Sequence, residues 1–443
     1  MFRFGYDKFD EGAWQIVEPN GLIGQDKEPE VFRLYLPPWY DEIFGRYGIP
    51  FKIQSSKSLI NAFGEYGNED NKWIYLLEPN GDPRGWFGQY VEEDGDVNPI
   101  KSLLDGVDKK TLQSCRDGKT LICLYQPNEG FPTNWLWFNI FEEIYIELGK
   151  HNINPTNFMF VCGNMKLEGD FKEWKKHKDN KHKDSGDIHV CGFNNERFID
   201  FHSKWKLAQV NHDVKRDKHF LCFNRELRPH RKLLLTMLSQ ENLLDKGMVS
   251  SKKFDKETFF RVPKEMFIGK GMARQLEKEA DKLVEMTPLV VDVDEWDTNH
   301  FDTSPVWAYD KTYFSVVTNT WYDMDTQFLD EKVWKAIANK HPFIVVGNYK
   351  ILEELRRQGF KTFEPFINEV YDLEQHPYKR MKLIVKEIKR LSNLSTEEMD
   401  EWYFQLESIL HHNYEVLFNT DLLDNFVEKL KTATRVEIIK DEK

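Results

Sequence analysis

Residues Asp310–Gly347 read DKTYFSVVTNTWYDMDTQFLDEKVWKAIANKHPFIVVG, and the fold is decided there. Tyr313 to Val317 is β-branched and aromatic, as suits a buried strand. Asp330 stands where an N-capping carboxylate belongs, and Val333, Ala336 and Ile337 then share one helical face. A Pro-led strand, Pro342 to Val346, follows and ends at Gly347. The stretch is one strand, loop, helix, strand unit with a polar loop ahead of its helix. Loop and first helical turn offer Asn319, Gln327, Asp330, Glu331 and Lys332. A helix N-terminus carrying a lysine is a sound place for a phosphate, because its N–H groups and dipole both favour negative charge. An acid beside that lysine suits a ribose hydroxyl.

Upstream, FLCFNRELRPHRKLLLTML (Phe220 to Leu238) runs from a strand, Phe220 to Asn224, through a basic turn into a helix with Leu233, Leu234, Met237 and Leu238 on its apolar side. The turn holds Arg225, Arg228, His230 and Arg231, and basic groups after a strand's carboxyl end are placed for an anionic ligand in an open α/β sheet. Ordinary surface salt bridges are the competing account, and Arg231 has the stronger case for the anion. Leu289 to Asp292 reads as another strand, and the acidic loop DVDEWDTNHFD at its end has no metal-ligand spacing and reads as solvated. Downstream, Ile351 to Gln358 is a helix closed by Gly359, and Pro377 opens a second with Met381, Ile384, Ile388 and Leu391 in helical register. Ser395 and Glu398 form a capping box for a last long helix reaching about Phe418.

The first half alternates in the same way. Trp73 to Leu77, Leu121 to Tyr125, Phe158 to Cys162 and Ile188 to Val190 are apolar runs that empty into turn residues, with a helical pattern from Trp135 to Leu148 between two of them. Residues 1 to about 50 show no sustained period and read as irregular strands and loops. The run KLEGDFKEWKKHKDNKHKD from Lys166 to Asp184 reads as a lysine-rich, solvated insertion. The expected organisation is α/β throughout: residues 1–215 as a first domain, 216–375 as a second, and 376–443 as helices packing across both.

Length agrees, since 443 residues exceed one ordinary core. A net charge of -13 argues against a generally basic nucleic-acid coat but permits a local basic face. Five cysteines at wide spacings, without a CxxC pair, fit reduced and buried thiols. With neither an apolar signal core nor a run long enough for a membrane span, the expectation is a soluble, cytoplasmic protein.

The segment from Tyr313 to Gly347 resembles the donor-binding motif of α-1,3-fucosyltransferases and related enzymes of the GT-B fold, with Glu331-Lys332 opening the helix before a Pro-led strand that ends in Gly. Phe220 to Arg231 resembles that family's earlier motif, and roughly residues 220 to 395 resemble glycosyltransferase-like proteins of large tailed phages. The family's Phe-Glu-Asn reads Val317-Thr318-Asn319 here, and the N-terminal half shows no match. The resemblance implies two Rossmann-like domains facing across a cleft, with the C-terminal helices crossing back. It implies a nucleotide-sugar co-substrate, no further cofactor, Lys332 and Arg231 at the donor diphosphate with Arg225, Arg228 and Asn319 nearby, and Glu331 at the ribose. If the chain is phage-encoded, as the resemblance to phage proteins implies, the expected location is the host cytoplasm.

Inverting, metal-independent transfer then needs a general base from the first domain. Glu129, in the loop after Leu121 to Tyr125, is the first candidate, and Glu78, in an equivalent loop, the second; either is otherwise a solvated loop carboxylate. The acceptor is a hydroxylated base in DNA, with Lys166 to Lys183, Trp135 and Trp137 as contacts, or a glycan or small molecule. A non-catalytic nucleotide- or sugar-binding module and a structural virion protein are the alternatives from other classes.

Overall fold

The computed structural model describes residues 2–6, 51–55, 72–77, 83–87, 102–107, 109–135, 138–194, 210, 214–255, 270–291, 306–417 and 421–435. The chain divides into two compact units, Met1–Phe198 with Thr420–Lys443, and Ile199–Asn419.

In the first unit the strands are β1 (Phe2–Tyr6), β2 (Phe51–Ser55), β3 (Trp73–Leu77), β4 (Thr120–Gln126), the two-residue pair β5 (Asn134–Trp135) and β6 (Phe138–Asn139), β7 (Phe158–Cys162) and β8 (His189–Gly192). All but β5 and β6 form one parallel sheet in the order β2-β1-β3-β4-β7-β8. Its helices are α1 (Pro83–Trp86), α2 (Lys109–Arg116), α3 (Ile140–Lys150) and α4 (Leu167–Lys176). Every residue of β4 and β7 is buried, the signature of parallel strands covered on both faces.

Two sequence readings change here. The helix expected from Trp135 starts at Ile140, because Asn134–Trp135 pairs back on Phe138–Asn139 and the Asn139 side chain then accepts from the N–H groups of Phe141 and Glu142 at 3.0 and 3.1 Å. The lysine-rich stretch is no mere insertion. Its first half is α4, the crossover helix between β7 and β8, with Leu167 and Phe171 buried one turn apart. Charged residues mask that face, with Glu168 and Asp170 between the two anchors and Lys166, Lys172, Lys175 and Lys176 around them. β1 likewise makes regular a part of the region read as irregular.

The second unit holds β9 (Lys218–Cys222), β10 (Gly247–Val249), β11 (Thr312–Thr318) and β12 (Phe343–Val346), parallel in the order β10-β9-β11-β12. Around them lie α5 (Pro229–Gln240), α6 (Lys270–Met286), α7 (Val306–Asp310), α8 (Glu331–Ala338), α9 (Ile351–Arg357), α10 (Pro377–Ser392), α11 (Thr396–Gln405) and α12 (Glu407–Leu417). β11 and β12 are buried throughout, as their unbroken apolar runs require. The strand expected at Leu289 is only an isolated antiparallel bridge to Ser251, and Val290 is exposed. β10, three residues long, is too short to announce itself. The capping box is present, with Ser395 and Glu398 bonded reciprocally at 3.2 and 2.7 Å, but the expected long helix is two, broken at Leu406. Gly359 has φ +90, the left-handed conformation that ends a helix most easily without a Cβ. Met381, Ile384, Ile388 and Leu391 of α10 and Met399, Trp402 and Leu410 of α11 and α12 complete this unit's core. The chain then gives α13 (Asp421–Thr434) to the first unit, where Phe426 stacks on Phe193 with ring centroids 4.3 Å apart and Thr434 O accepts from the Lys72 N–H at 3.0 Å. The five cysteines are free and buried, as expected.

His341 ties β11 to β12. Its Nε2–H donates to Thr312 O at 2.9 Å, and Nδ1 accepts from the Ser315 hydroxyl at 2.8 Å. Burial pushes the imidazole pKa down to about 3. The unfolded chain takes up this proton near pH 6.5 and the folded chain does not until about 3, so stability is complete above 6.5 and falls as pH drops through that window. One such group contributes a slope of about 1.4 kcal/mol per pH unit. Urea unfolding at pH 7, 6 and 5 should show that slope, and His341→Gln should flatten it by about one proton.

Candidate functional site

Three asparagines mark the carboxyl edge of the second sheet: Asn224 two residues past β9, Asn319 directly after β11, and Asn348 two past β12, all buried. They knit the strand ends together. The Thr318 hydroxyl donates to Asn224 Oδ1 at 3.0 Å, and the Asn319 N–H donates to Val346 O at 3.1 Å. Asn319 Nδ2 holds Phe328 O at 3.1 Å and Asn348 Nδ2 holds Met324 O at 2.6 Å, which lays the Thr320 to Asp330 loop over the edge. The Oδ1 atoms of Asn319 and Asn348 are left buried without a hydrogen-bond partner. Asn224 and Asn348 escape sequence reading because an asparagine after a strand ordinarily signals a turn.

Two buried arginines work on backbone carbonyls. Arg231, at the start of α5, donates through Nη1 to Glu226 O at 2.9 Å and through Nη2 to Thr318 O at 2.9 Å and Asn319 O at 3.5 Å, while its Nε is unpartnered. Arg380, on α10, holds Gly347 O at 3.1 Å, Glu374 O at 2.8 Å, Gln375 O at 3.0 Å and the carbonyl of Tyr322. Between them His230 lies parallel to Tyr322 at 5.3 Å, and the Arg380 guanidinium stands 4.4 Å from the same ring. His230 is no surface cation: burial, with Arg231 beside it, holds its pKa well below the ordinary value, and the neutral ring donates from Nε2 to Asn319 O at 2.9 Å.

At the head of α8, Asp330 is the expected N-cap, accepting from the Lys332 N–H at 3.3 Å. Its Oδ2 takes the Thr320 N–H at 2.8 Å and Lys332 Nζ at 3.1 Å. Lys332 Nζ also reaches Glu331 Oε1 at 2.7 Å and keeps partial exposure. Burial works to raise the Glu331 carboxyl, but Lys332 outweighs it and holds the group below the usual range. Burial likewise works to lower Lys332, and Asp330 and Glu331 outweigh it in the other direction. Glu331 and Lys332 thus favour each other's charged forms, whereas burial raises the Asp330 carboxyl above its ordinary value.

The expected residues are therefore brought together in part. Asn319, Arg231, Glu331 and Lys332 gather at one edge. Arg228, the N-cap residue of α5, is exposed, and Arg225 is half-buried in the same turn. Glu129 lies in the other unit, half-buried in the turn after β4, its carbonyl accepting from the Gly163 N–H at 2.8 Å beyond the end of β7. It stands at the carboxyl edge of the first sheet, the edge where ligands enter such folds. Glu78 and Trp137 lie outside the described residues, as does the side chain of Trp135. Lys175 is committed to its own loop, donating to His182 O at 2.8 Å and Ser185 O at 2.7 Å and pairing with Asp187 at 3.1 Å, whereas Lys176 and Lys178 are exposed. No described helix is long and apolar enough to cross a membrane.

No protein-family model matches this sequence, and no curated protein matches it. Among solved structures the chain is similar to an α,α-trehalose-phosphate synthase (UDP-forming) from Burkholderia vietnamiensis, at 12% identity and TM-score 0.40, covering 84% of this chain and 75% of that one. A second is the α,α-trehalose 6-phosphate synthase of Burkholderia multivorans, at 10% identity and TM-score 0.38, covering 82% and 70%. Likeness of this degree carries no argument about the site.

The geometry separates the two cations. Arg231→Ala is expected to lower the unfolding free energy by about 3 kcal/mol, because it strips several buried carbonyls of a charged donor. Lys332→Gln, partly exposed and still able to donate to Asp330, should cost about 1 kcal/mol. Chemical denaturation of the two variants measures the difference, and equal losses would contradict the division.

Proposed function

We propose that the chain is a glycosyltransferase whose second unit holds a nucleoside diphosphate sugar at the carboxyl edge of β9, β11 and β12. The observation that carries this reading is Lys332 Nζ, a partly exposed cation at a helix N-terminus, 2.7 Å from a carboxylate that is its direct neighbour in sequence. An arriving diphosphate takes over Lys332 and frees Glu331 to accept a ribose hydroxyl, so one ion pair is exchanged for two donor contacts. Arg228 and Arg225 add positive charge from the facing turn. Arg231 acts through position, holding the carbonyls of Thr318 and Asn319, and its buried charge favours the diphosphate at short range.

In the transfer the acceptor oxygen forms a bond to the anomeric carbon as the bond from that carbon to the diphosphate breaks. The acceptor proton passes to a general base, for which Glu129 is the candidate, and inversion at the anomeric carbon follows from the single displacement. The leaving diphosphate keeps the electron pair, and Lys332 with the arginines stabilises it, so no metal is required for that charge. The acceptor is a hydroxyl of a modified DNA base or of a glycan. Exposed Lys176 and Lys178 favour the former, since a protein of net charge -13 needs a local basic face to hold a polyanion.

Calorimetric titration with uridine and guanosine diphosphates is the first test. Lys332→Gln and Arg228→Ala should each weaken binding by about ten- to a hundred-fold, as loss of a charge-assisted contact predicts. Unchanged affinity in both variants would remove the donor site from this edge. Transfer to hydroxymethylated DNA should survive chelation, decline steeply with salt and weaken on Lys176→Glu with Lys178→Glu, while transfer to saccharides should ignore all three. Turnover that stops in EDTA and returns with a divalent ion would exclude the metal-free step.

A further inference from the structure

The end of α3 in the first unit carries a cluster that the sequence reading passed over. Glu147 and His151 stand one helical turn apart, and Asp105 from the turn at Ser102 to Val107 meets them, with one ligand atom from each of the three within 4.8 Å of the others. His151 Nε2 lies 3.3 Å from Asp105 Oδ1 and 3.6 Å from Glu147 Oε1. That nitrogen is shielded from solvent, although the residue is partly exposed, and it makes no hydrogen bond to either carboxylate. Separations of about 3.0–3.5 Å are the edges of a coordination polyhedron whose metal–ligand bonds are about 2.1 Å long.

The surroundings fix these three groups as outer-shell contacts fix metal ligands. Glu147, almost wholly buried, has Oε1 held by the Leu104 N–H at 2.8 Å and Oε2 held by Lys150 Nζ at 3.3 Å. Asp105 turns Oδ2 to the Ser102 N–H at 3.1 Å, which leaves Oδ1 for the cluster. The Arg116 side chain donates to His151 O at 2.8 Å and sets the ring's backbone.

We propose that Asp105, Glu147 and His151 form a binding site for a divalent first-row transition ion, Zn²⁺ or Mn²⁺, that ties the end of α3 to the turn at Ser102 to Val107. One imidazole with two carboxylates suits such an ion better than Ca²⁺ or Mg²⁺, which take oxygen ligands almost exclusively. Three protein ligands leave the remaining positions to water. His151 lies on the connection from α3 into the start of β7, and Arg116 beside it leads into the start of β4. The cluster is thus at the sheet edge where strands begin, opposite the edge that carries Glu129, and its ion acts on stability rather than on the transfer.

The test is thermal unfolding of the full chain after EDTA treatment and dialysis, with Zn²⁺, Mn²⁺, Mg²⁺ or Ca²⁺ added singly, and calorimetric titration of the same ions. Zn²⁺ or Mn²⁺ should bind at one site and raise Tm by about 5–10 °C at a hundred-fold excess over Kd. Asp105→Asn, whose exposed amide keeps the turn's acceptor, and His151→Gln should each abolish that rise and weaken the titrated affinity at least ten-fold. No binding by either transition ion, or an equal Tm rise in wild type and both variants, would overturn the site, whatever the diphosphate titrations give.

Discussion

The second unit depends on a buried guanidinium. Arg231 has almost no solvent, and its hydrogens go to the carbonyls of Glu226, Thr318 and Asn319 rather than to a carboxylate. A cation placed so has lost its hydration, and it is tolerable because its two Nη groups donate to three backbone carbonyls, although Nε has no partner. The same contacts hold the end of β11 against the turn that begins α5. Arg380 repeats the device from α10, gathering the carbonyls of Gly347, Tyr322, Glu374 and Gln375. The two arginines thus hold the chain just past the ends of β11 and β12, while Lys332, at the head of α8, keeps partial exposure.

This arrangement explains which parts of the site were legible in the sequence. The unit from Thr312 to Val346 could be read because each signal was local: a β-branched run, a capping aspartate, a one-sided helix. Glu331 and Lys332 followed from their place at the first turn of that helix. Arg380 could not be found, since in sequence it is one of several cations on an amphipathic helix, and its partners lie up to 58 residues away. Arg231 reads in sequence as a contact for an anionic ligand, and in the fold its hydrogen bonds go to the backbone. A basic residue after a strand looks the same in sequence whether it faces a crevice or turns inward.

The first unit gives the converse lesson. Its apolar strands were legible, and the helix crossing from β7 to β8 was not, because four lysines and three acids in Lys166–Lys176 overwhelm two buried anchors, Leu167 and Phe171. Composition described the solvent side of α4, and packing is decided on the other side. The cluster at Asp105, Glu147 and His151 was hidden for a related reason: two members share a helix, but the third arrives from 42 residues upstream through a turn with no marked pattern.

The assignment of α13 to the first unit has a consequence for the order of events during synthesis. The second unit is one continuous stretch, Ile199–Asn419, and all of it is made before the helix that carries Phe426. Until that helix emerges, the ring contacts of Phe426 with Tyr125 and Phe193 and the bond from the Lys72 N–H to the Thr434 carbonyl cannot form. The half of the chain that is translated first is therefore the last to be completed.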